Sequence, residues 1–134
     1  MTLVICLDDR GGMSFGGRRQ SQDRVLRARV AELAKGHGLW MNSYSAAQFG
    51  DDCNISVSEQ PGEHAEGGYC FVENLPASAF LPAEELVIYR WNRHYPSDKK
   101  FLCVPEECGF SKVSTTDFAG SSHEKITEEI YQKS

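Results

Sequence analysis

The residues best suited to chemistry crowd between Asp8 and Asp23. Asp8-Asp9 end an apolar run, Gly11-Gly12 and Gly16-Gly17 flank Met13-Ser14-Phe15, and Arg18-Arg19 and Asp23 follow. Glycines beside arginines can cradle an anion with backbone N–H groups and guanidinium, but this spacing fits neither a Walker nor a Rossmann pattern. A flexible loop is the plainer reading. Arg90, Trp91, Arg93 and His94 form an aromatic-basic cluster of the kind that stacks on a base, and equally of the kind that ends a strand with one buried aromatic. Serine, histidine and aspartate can be drawn from any such composition, and no order here singles out a triad. His37, His64, His94 and His123 are isolated, so no His-x-His-x-Asp-His metal motif exists. Cys6, Cys53, Cys70, Cys103 and Cys108 are an odd set without paired CxxC knuckles. A zinc site would have to draw on Cys103, Cys108 and His123. Buried reduced thiols, no disulfide and no bound metal are expected.

At 134 residues, with 40% hydrophobic and 25% charged residues, the chain suits one globular domain spanning 1–134. No apolar run approaches the roughly 20 residues that span a bilayer. The start Met1-Thr2-Leu3-Val4-Ile5-Cys6-Leu7 lacks a basic n-region and meets Asp8-Asp9 too early for a signal peptide. A cytoplasmic location is therefore expected. The net charge of −5 disfavours nucleic acid and is uneven. Residues 1–38 carry an excess of basic groups, concentrated at Arg10, Arg18, Arg19, Arg24, Arg27 and Arg29, and the remainder is strongly acidic. For Arg24, Arg27 and Arg29 a solvated helix face is the simpler reading.

The elements that would position these groups follow from periodicity and caps. Thr2 to Leu7 is a continuous apolar run, expected as a central strand covered on both faces. Asp8 to Gly17 reads as a loop. Ser21 is an N-cap candidate, with Asp23 in the first turn. Leu26, Val30, Leu33 and Ala34 recur at helical spacing until Gly36. Leu39 to Tyr44 reads as a strand, followed by a short helix from the capping box Ser45 to Gln48. Strands are also expected over 54–58, with Ile55 and Val57 on one face, and over 69–72, 86–91, 101–104 and 112–114. Pro76 and Pro82 bracket a turn-rich segment. The segment 121–133 is ambiguous: Ser121 with Glu124 is a capping box and Ile126 and Ile130 lie one turn apart, yet 126–131 also suits an edge strand. If helical, His123 shares the face of Ile126 and Ile130 and packs there. The strand–helix–strand order implies an α/β fold with a mixed, mostly parallel central sheet and flanking helices. The two strongest apolar runs, Thr2–Leu7 and Leu86–Trp91, are expected as interior neighbours.

Several segments in order resemble the dihydrofolate reductases. Leu7-Asp8-Asp9-Arg10-Gly11-Gly12-Met13 resembles the exit of their first strand, where an Asp and a Gly-Met pair open a mobile loop over the substrate. Leu39-Trp40-Met41-Asn42-Ser43-Tyr44-Ser45 is similar to their second strand, which ends in Met-Gly-Arg-x-Thr. Asn54-Ile55 with Ser58, Gln60, Pro61 and Gly62 is similar to the strand after it. Phe80-Leu81-Pro82 with Leu86, Asp98 and Phe101 resembles the late FLP stretch, and Lys112 to Phe118 with Ile126 to Lys133 resembles the terminal hairpin. The resemblance implies a strand, not a helix, at the C-terminal end. It also implies that Asp23 is the positional candidate for the carboxylate that binds a pterin ring and supports proton transfer, with Tyr89 near where the family keeps a hydroxyl partner. The plainer reading of Asp23 is a first-turn acid that favours the helix dipole.

The departures concern the cofactor. Asn42-Ser43 stand where the family holds nucleotide phosphates with Gly-Arg, and Glu73-Asn74 stand where it has a double glycine. Side chains there block the approach of a pyrophosphate to backbone N–H groups, and Glu73 adds negative charge. The segment between Gly62 and Tyr69 is too short for the adenosine-side unit. NADPH is thus disfavoured. The expected function is binding of a small heterocyclic or nucleotide-like molecule by Asp9, Gly12, Met13, Arg18, Arg19, Asn42, Ser43, Ser45, Glu73 and Asn74. The rivals are a pteridine-type reductase with an altered cofactor mode and a structural domain without a ligand.

Overall fold

The computed structural model describes residues 1–49, 54–76, 83–101 and 104–134. Its strands are β1 (Thr2–Leu7), β2 (Gly12–Phe15), β3 (Arg18–Arg19), β4 (Leu39–Met41), β5 (Ser56–Val57), β6 (Tyr69–Val72), β7 (Glu85–Arg90), β8 (Lys99–Lys100), β9 (Phe110–Phe118) and β10 (Ile126–Lys133). Two α-helices, α1 (Arg24–Leu33) and α2 (Ser43–Ala46), complete the regular elements together with short 3₁₀ turns at Pro61–Glu63 and Pro105–Cys108. Seven strands form one sheet in the order β5-β4-β6-β1-β7-β10-β9. Its first five strands run parallel, and β10 and β9 close the far side antiparallel. This is the mixed, mostly parallel α/β arrangement expected from the sequence.

β1 and β7 lie side by side in the interior, paired from Thr2↔Glu85 to Leu7↔Arg90. Their buried stretches, Leu3 to Leu7 and Leu86 to Tyr89, are unbroken runs of apolar and aromatic residues because both faces are covered. Val4, Cys6, Val87 and Tyr89 cluster with Leu26 and Val30 of α1 and its C-cap Ala34, whereas Leu3, Ile5, Leu86 and Ile88 cluster with Met13, Ala65, Ala83, Phe101 and Phe110. Helix and irregular chain thus cover opposite faces of one sheet.

Several local expectations need correction. Asp8–Gly17 is not only loop. β2 and β3 form a hairpin turned at Gly16-Gly17, both at positive φ as a tight hairpin turn requires, and β2 also pairs with β8 in a second, three-stranded sheet. The helix N-cap is Asp23 rather than Ser21, since its carboxylate reaches two N–H groups of the first turn. β4 stops at Met41 because Asn42, not Ser45, caps α2. β5 is a two-residue edge strand; Ile55, just before it, packs against the core, whereas Val57 within it is half exposed. The strand expected over 101–104 is replaced by β8 one step earlier, Phe101 lying outside any strand and residues 102–103 outside the described residues. β9 is far longer than 112–114. Residues 126–133 are strand, because pairing with both β7 and β9 outweighs the local helical pattern. The turn-rich segment and the Phe80-Leu81-Pro82 match fall outside the described residues.

The expectation of no disulfide is also corrected: Cys108 is disulfide-bonded. An odd set of cysteines without regular spacing does not reveal which thiols a fold brings together. Cys6 and Cys70 are buried free thiols, and burial pushes Cys70 up to about 12. Cys53 and Cys103 lie outside the described residues.

Candidate functional site

The parallel strands β1, β4 and β6 end together, and each hands over to a polar residue: Asp8, Asn42 and Glu73. In open α/β sheets the carboxyl ends of the strands are where ligands bind. The β2–β3 hairpin reaches this edge. Arg19 Nε donates to Glu73 Oε2 at 3.0 Å, and its Nη2 donates to the Tyr44 carbonyl at 3.1 Å. The guanidinium lies over the Tyr44 ring, 4.3 Å from its centre, and the Tyr44 hydroxyl accepts from the Arg19 N–H. Gln48 Nε2 donates to the other Glu73 oxygen at 2.9 Å. Glu73 is buried, so its charge is held by Arg19 and Gln48 rather than by water.

Asn42 and Asn74 extend the cluster. Asn42 Oδ1 accepts from the Ser45 N–H at 3.0 Å while its Nδ2 donates to Asn74 Oδ1 at 2.9 Å. Asn74 Nδ2 donates to the Gly17 carbonyl, tying the hairpin turn to the strand ends. Ser45 Oγ is buried and has no hydrogen-bond partner among the described residues. The structure therefore gathers Arg19, Asn42, Ser45, Glu73 and Asn74 of the residues singled out for ligand binding. Asp9, Ser43 and Arg18 are exposed, with the Asp9 N–H bonded to the Arg93 carbonyl and the Ser43 N–H to Glu59. Gly12 and Met13 are buried in β2, and Met13 is core.

The carboxylate next to Asp9 is the engaged one. Asp8 Oδ1 accepts from the N–H groups of Arg10 and Gly12, and Oδ2 from Gln20 Nε2 and the Tyr95 N–H. Burial would raise its carboxyl, but these donors outweigh it and hold the group below its usual range.

Asp23 is fully buried at the start of α1. Its Oδ1 accepts from the N–H groups of Val25, Leu26 and Ser121, and its Oδ2 from the Ser122 N–H at 2.8 Å and His123 Nδ1 at 3.0 Å. Despite burial, His123 and these N–H groups hold Asp23 far below the usual carboxylate range. His123 is not on a helix face but in the β9–β10 loop, stacked on Trp91 with ring centres 4.6 Å apart. Its Nε2 meets Ser21 Oγ at 3.1 Å and the Tyr95 hydroxyl at 3.0 Å.

Tyr89 is not the hydroxyl partner of Asp23. It donates to Glu128 Oε2 at 2.8 Å, and Arg29 grips the same carboxylate with two hydrogen bonds. Tyr89 sits on β7 directly opposite Glu128 of β10, so strand register dictates the pairing. Arg29, read as solvated, is half-buried against Glu128 and lies over the Phe118 ring. Burial and the Glu128 charge push the Tyr89 hydroxyl far up. Burial also favours a raised Glu128, but Arg29 and Tyr89 prevail and keep it lowered.

Sequence reading missed Asp8, Ser21, Tyr44, Gln48, His123 and Glu128. Only Asp8, adjacent to a selected residue and at a strand exit, left a usable signal. Among the described residues no cluster of His, Cys, Asp and Glu has metal-binding geometry, and no helix is long and apolar enough to cross a membrane.

No family model matches the chain, and no curated protein matches it. Among solved structures it is similar to a dihydrofolate reductase from Enterococcus faecalis complexed with NADP(H) and RAB-propyl. The TM-score is 0.68 at 11% identity, covering 98% of this chain and 95% of that one. With the sheet order and the strand-end crevice already described, the chain has the dihydrofolate reductase-like fold.

Proposed function

We propose that the crevice at the ends of β1, β4 and β6 binds a small heterocyclic or nucleotide-like molecule, without standard NADPH-dependent catalysis. The carrying observation is the convergence of Arg19, Tyr44, Asn42, Asn74 and Glu73 at the strand ends beneath the hairpin turn. Amides and a guanidinium recognise ring nitrogens, carbonyls and anions by directed hydrogen bonds. The Ser45 hydroxyl, without a hydrogen-bond partner among the described residues, is a further group that a ligand can satisfy. Glu73 argues against an ordinary dinucleotide, because its carboxylate already holds Arg19, and a phosphate must displace it.

A specific observation favours the rival reading of a pteridine-type reductase with an altered cofactor mode: the similar enterococcal protein is complexed with NADP(H). Calorimetric titration with NADPH, dihydrofolate, a purine nucleotide and a free pterin separates the two. The proposal expects a pterin or nucleotide to bind and NADPH to bind far more weakly, with Asn74→Ala and Arg19→Met lowering ligand affinity. Tight NADPH binding with hydride transfer to dihydrofolate overturns it. Binding of none of these molecules would favour a structural role.

A further inference from the structure

His123 lies 102 positions from Ser21 and 100 from Asp23, yet the three are joined in one line of hydrogen bonds outside the strand-end crevice. Ser21 Oγ is 3.1 Å from Nε2 of His123, and Nδ1 of the same ring is 3.0 Å from Asp23 Oδ2. Burial alone would disfavour the Asp23 carboxylate, but the backbone N–H groups aimed at it keep it an acceptor, and Nδ1 facing it therefore carries a ring proton. Nε2 on the other side of the ring faces two hydroxyls, Ser21 Oγ at 3.1 Å and Tyr95 at 3.0 Å, and can accept from either. Trp91, stacked on the imidazole, holds the ring plane. Ser21 is half-buried, and the Tyr95 hydroxyl sits 3.4 Å from its Oγ. A hydroxyl within reach of a base that a third group orients is the geometry of an activated nucleophile.

We propose that Ser21 is an acyl-accepting nucleophile, with His123 as its general base, Asp23 as a positioning residue and small activated esters as substrates. Ser21 Oγ attacks the ester carbonyl carbon; its proton passes to Nε2 of His123, and the carbonyl π pair moves to oxygen. The Tyr95 hydroxyl is the nearby donor for that oxyanion. When the carbonyl re-forms, the C–O bond to the leaving alcohol breaks and the alcohol takes the proton from Nε2. Water then attacks the acyl-Ser21 ester, gives a proton to Nε2, and releases the carboxylic acid as Ser21 recovers its proton. Nothing beyond ester and water is consumed. The inference does not depend on ligand binding at the strand-end crevice.

The test treats the intact protein with p-nitrophenyl acetate and, separately, with a fluorophosphonate, following p-nitrophenol release and mapping the labelled peptide by mass spectrometry. The expected result is a burst of p-nitrophenol and a single adduct on Ser21. Ser21→Ala should lower the burst rate at least about 100-fold, and Ser21→Cys should restore covalent acylation at residue 21. Tyr95→Phe should slow acylation about 10-fold or more while Ser21 remains the labelled residue. These variants alter groups at the edge of the network, and circular dichroism checks that each is folded. Labelling spread over surface serines, or a rate unchanged in Ser21→Ala, overturns the proposal.

Discussion

Arg19 and Glu73, 54 residues apart, meet Nε to Oε2 at 3.0 Å, and their side chains are only 20% and 6% exposed. The pair links the hairpin to the end of β6, and it is asymmetric: Arg19 retains the Tyr44 ring and carbonyl, whereas Glu73 has, among the described residues, only Arg19 and Gln48 as hydrogen-bond partners.

Removal of Arg19 should therefore cost more than removal of the pair. Arg19→Met leaves a buried carboxylate with one amide donor, and a loss of about 1–3 kcal/mol is expected, below the fully buried limit because Arg19 is partly solvated. Glu73→Gln in the same chain should recover part of it. Urea denaturation of both single variants and the double variant gives the coupling directly; additive losses would contradict it.

Ser45→Ala should leave the unliganded protein as stable or more stable by up to about 1 kcal/mol, since the buried hydroxyl forfeits hydration without a partner among the described residues. In the presence of a crevice ligand the sign should reverse. Thermal melts with and without ligand measure both. A large loss without ligand would show that the hydroxyl is satisfied internally.

Acid should destabilise the protein through Asp8, Asp23 and Glu128, all held below their ordinary values of about 4 by N–H donors or Arg29. A carboxylate with a lowered folded pKa contributes stability that is present above its unfolded pKa and is lost as pH falls through the folded one. Stability from denaturant titrations should thus decline steadily below about pH 4. Asp23→Asn should be less stable at pH 7 and should show a shallower decline. An equally steep decline would mean that Asp23 is not a main contributor.

Gly120→Ala should destabilise by about 1–3 kcal/mol. A Cβ there would collide with Asp23 Oδ2, and would lie 2.8 Å from its Cγ and 2.9 Å from Ile126 Cδ1. Asp23, tied to α1 and the loop together, has nowhere to retreat. Calorimetric melting of the variant checks the magnitude, and an unchanged Tm would refute the packing argument.

The sheet interior was legible because burial on both faces writes itself as an unbroken apolar run, as in β1 and β7. The C-terminal strand was not, because Ile126 and Ile130 satisfy a helical repeat and only partners on β7 and β9 decide otherwise. The crevice was half legible. Arg19 stood out as a basic group beside glycines, and Asn42, Glu73 and Asn74 as departures from the motifs of the family the chain resembles, while Tyr44 and Gln48 bore no sign of a role in the crevice. The Ser21–His123–Asp23 line left no trace in sequence, since two of its members lie 100 positions apart. Tyr89 was assigned to the wrong acid because its true partner, Glu128, follows from strand register.

The cap of α1 has a consequence for how the chain folds. Two of the N–H groups bound to Asp23 come from Ser121 and Ser122, and the Arg24 N–H is in turn received by Ser121 Oγ. The first long helix is therefore finished only when the last hairpin docks, so its start should fray during synthesis and stay labile until nearly the whole chain has emerged. Closing so long a loop is slow compared with helix formation itself. In pulse-labelled hydrogen exchange the amides at the start of α1 would gain protection with β10, later than those in the middle of the same helix.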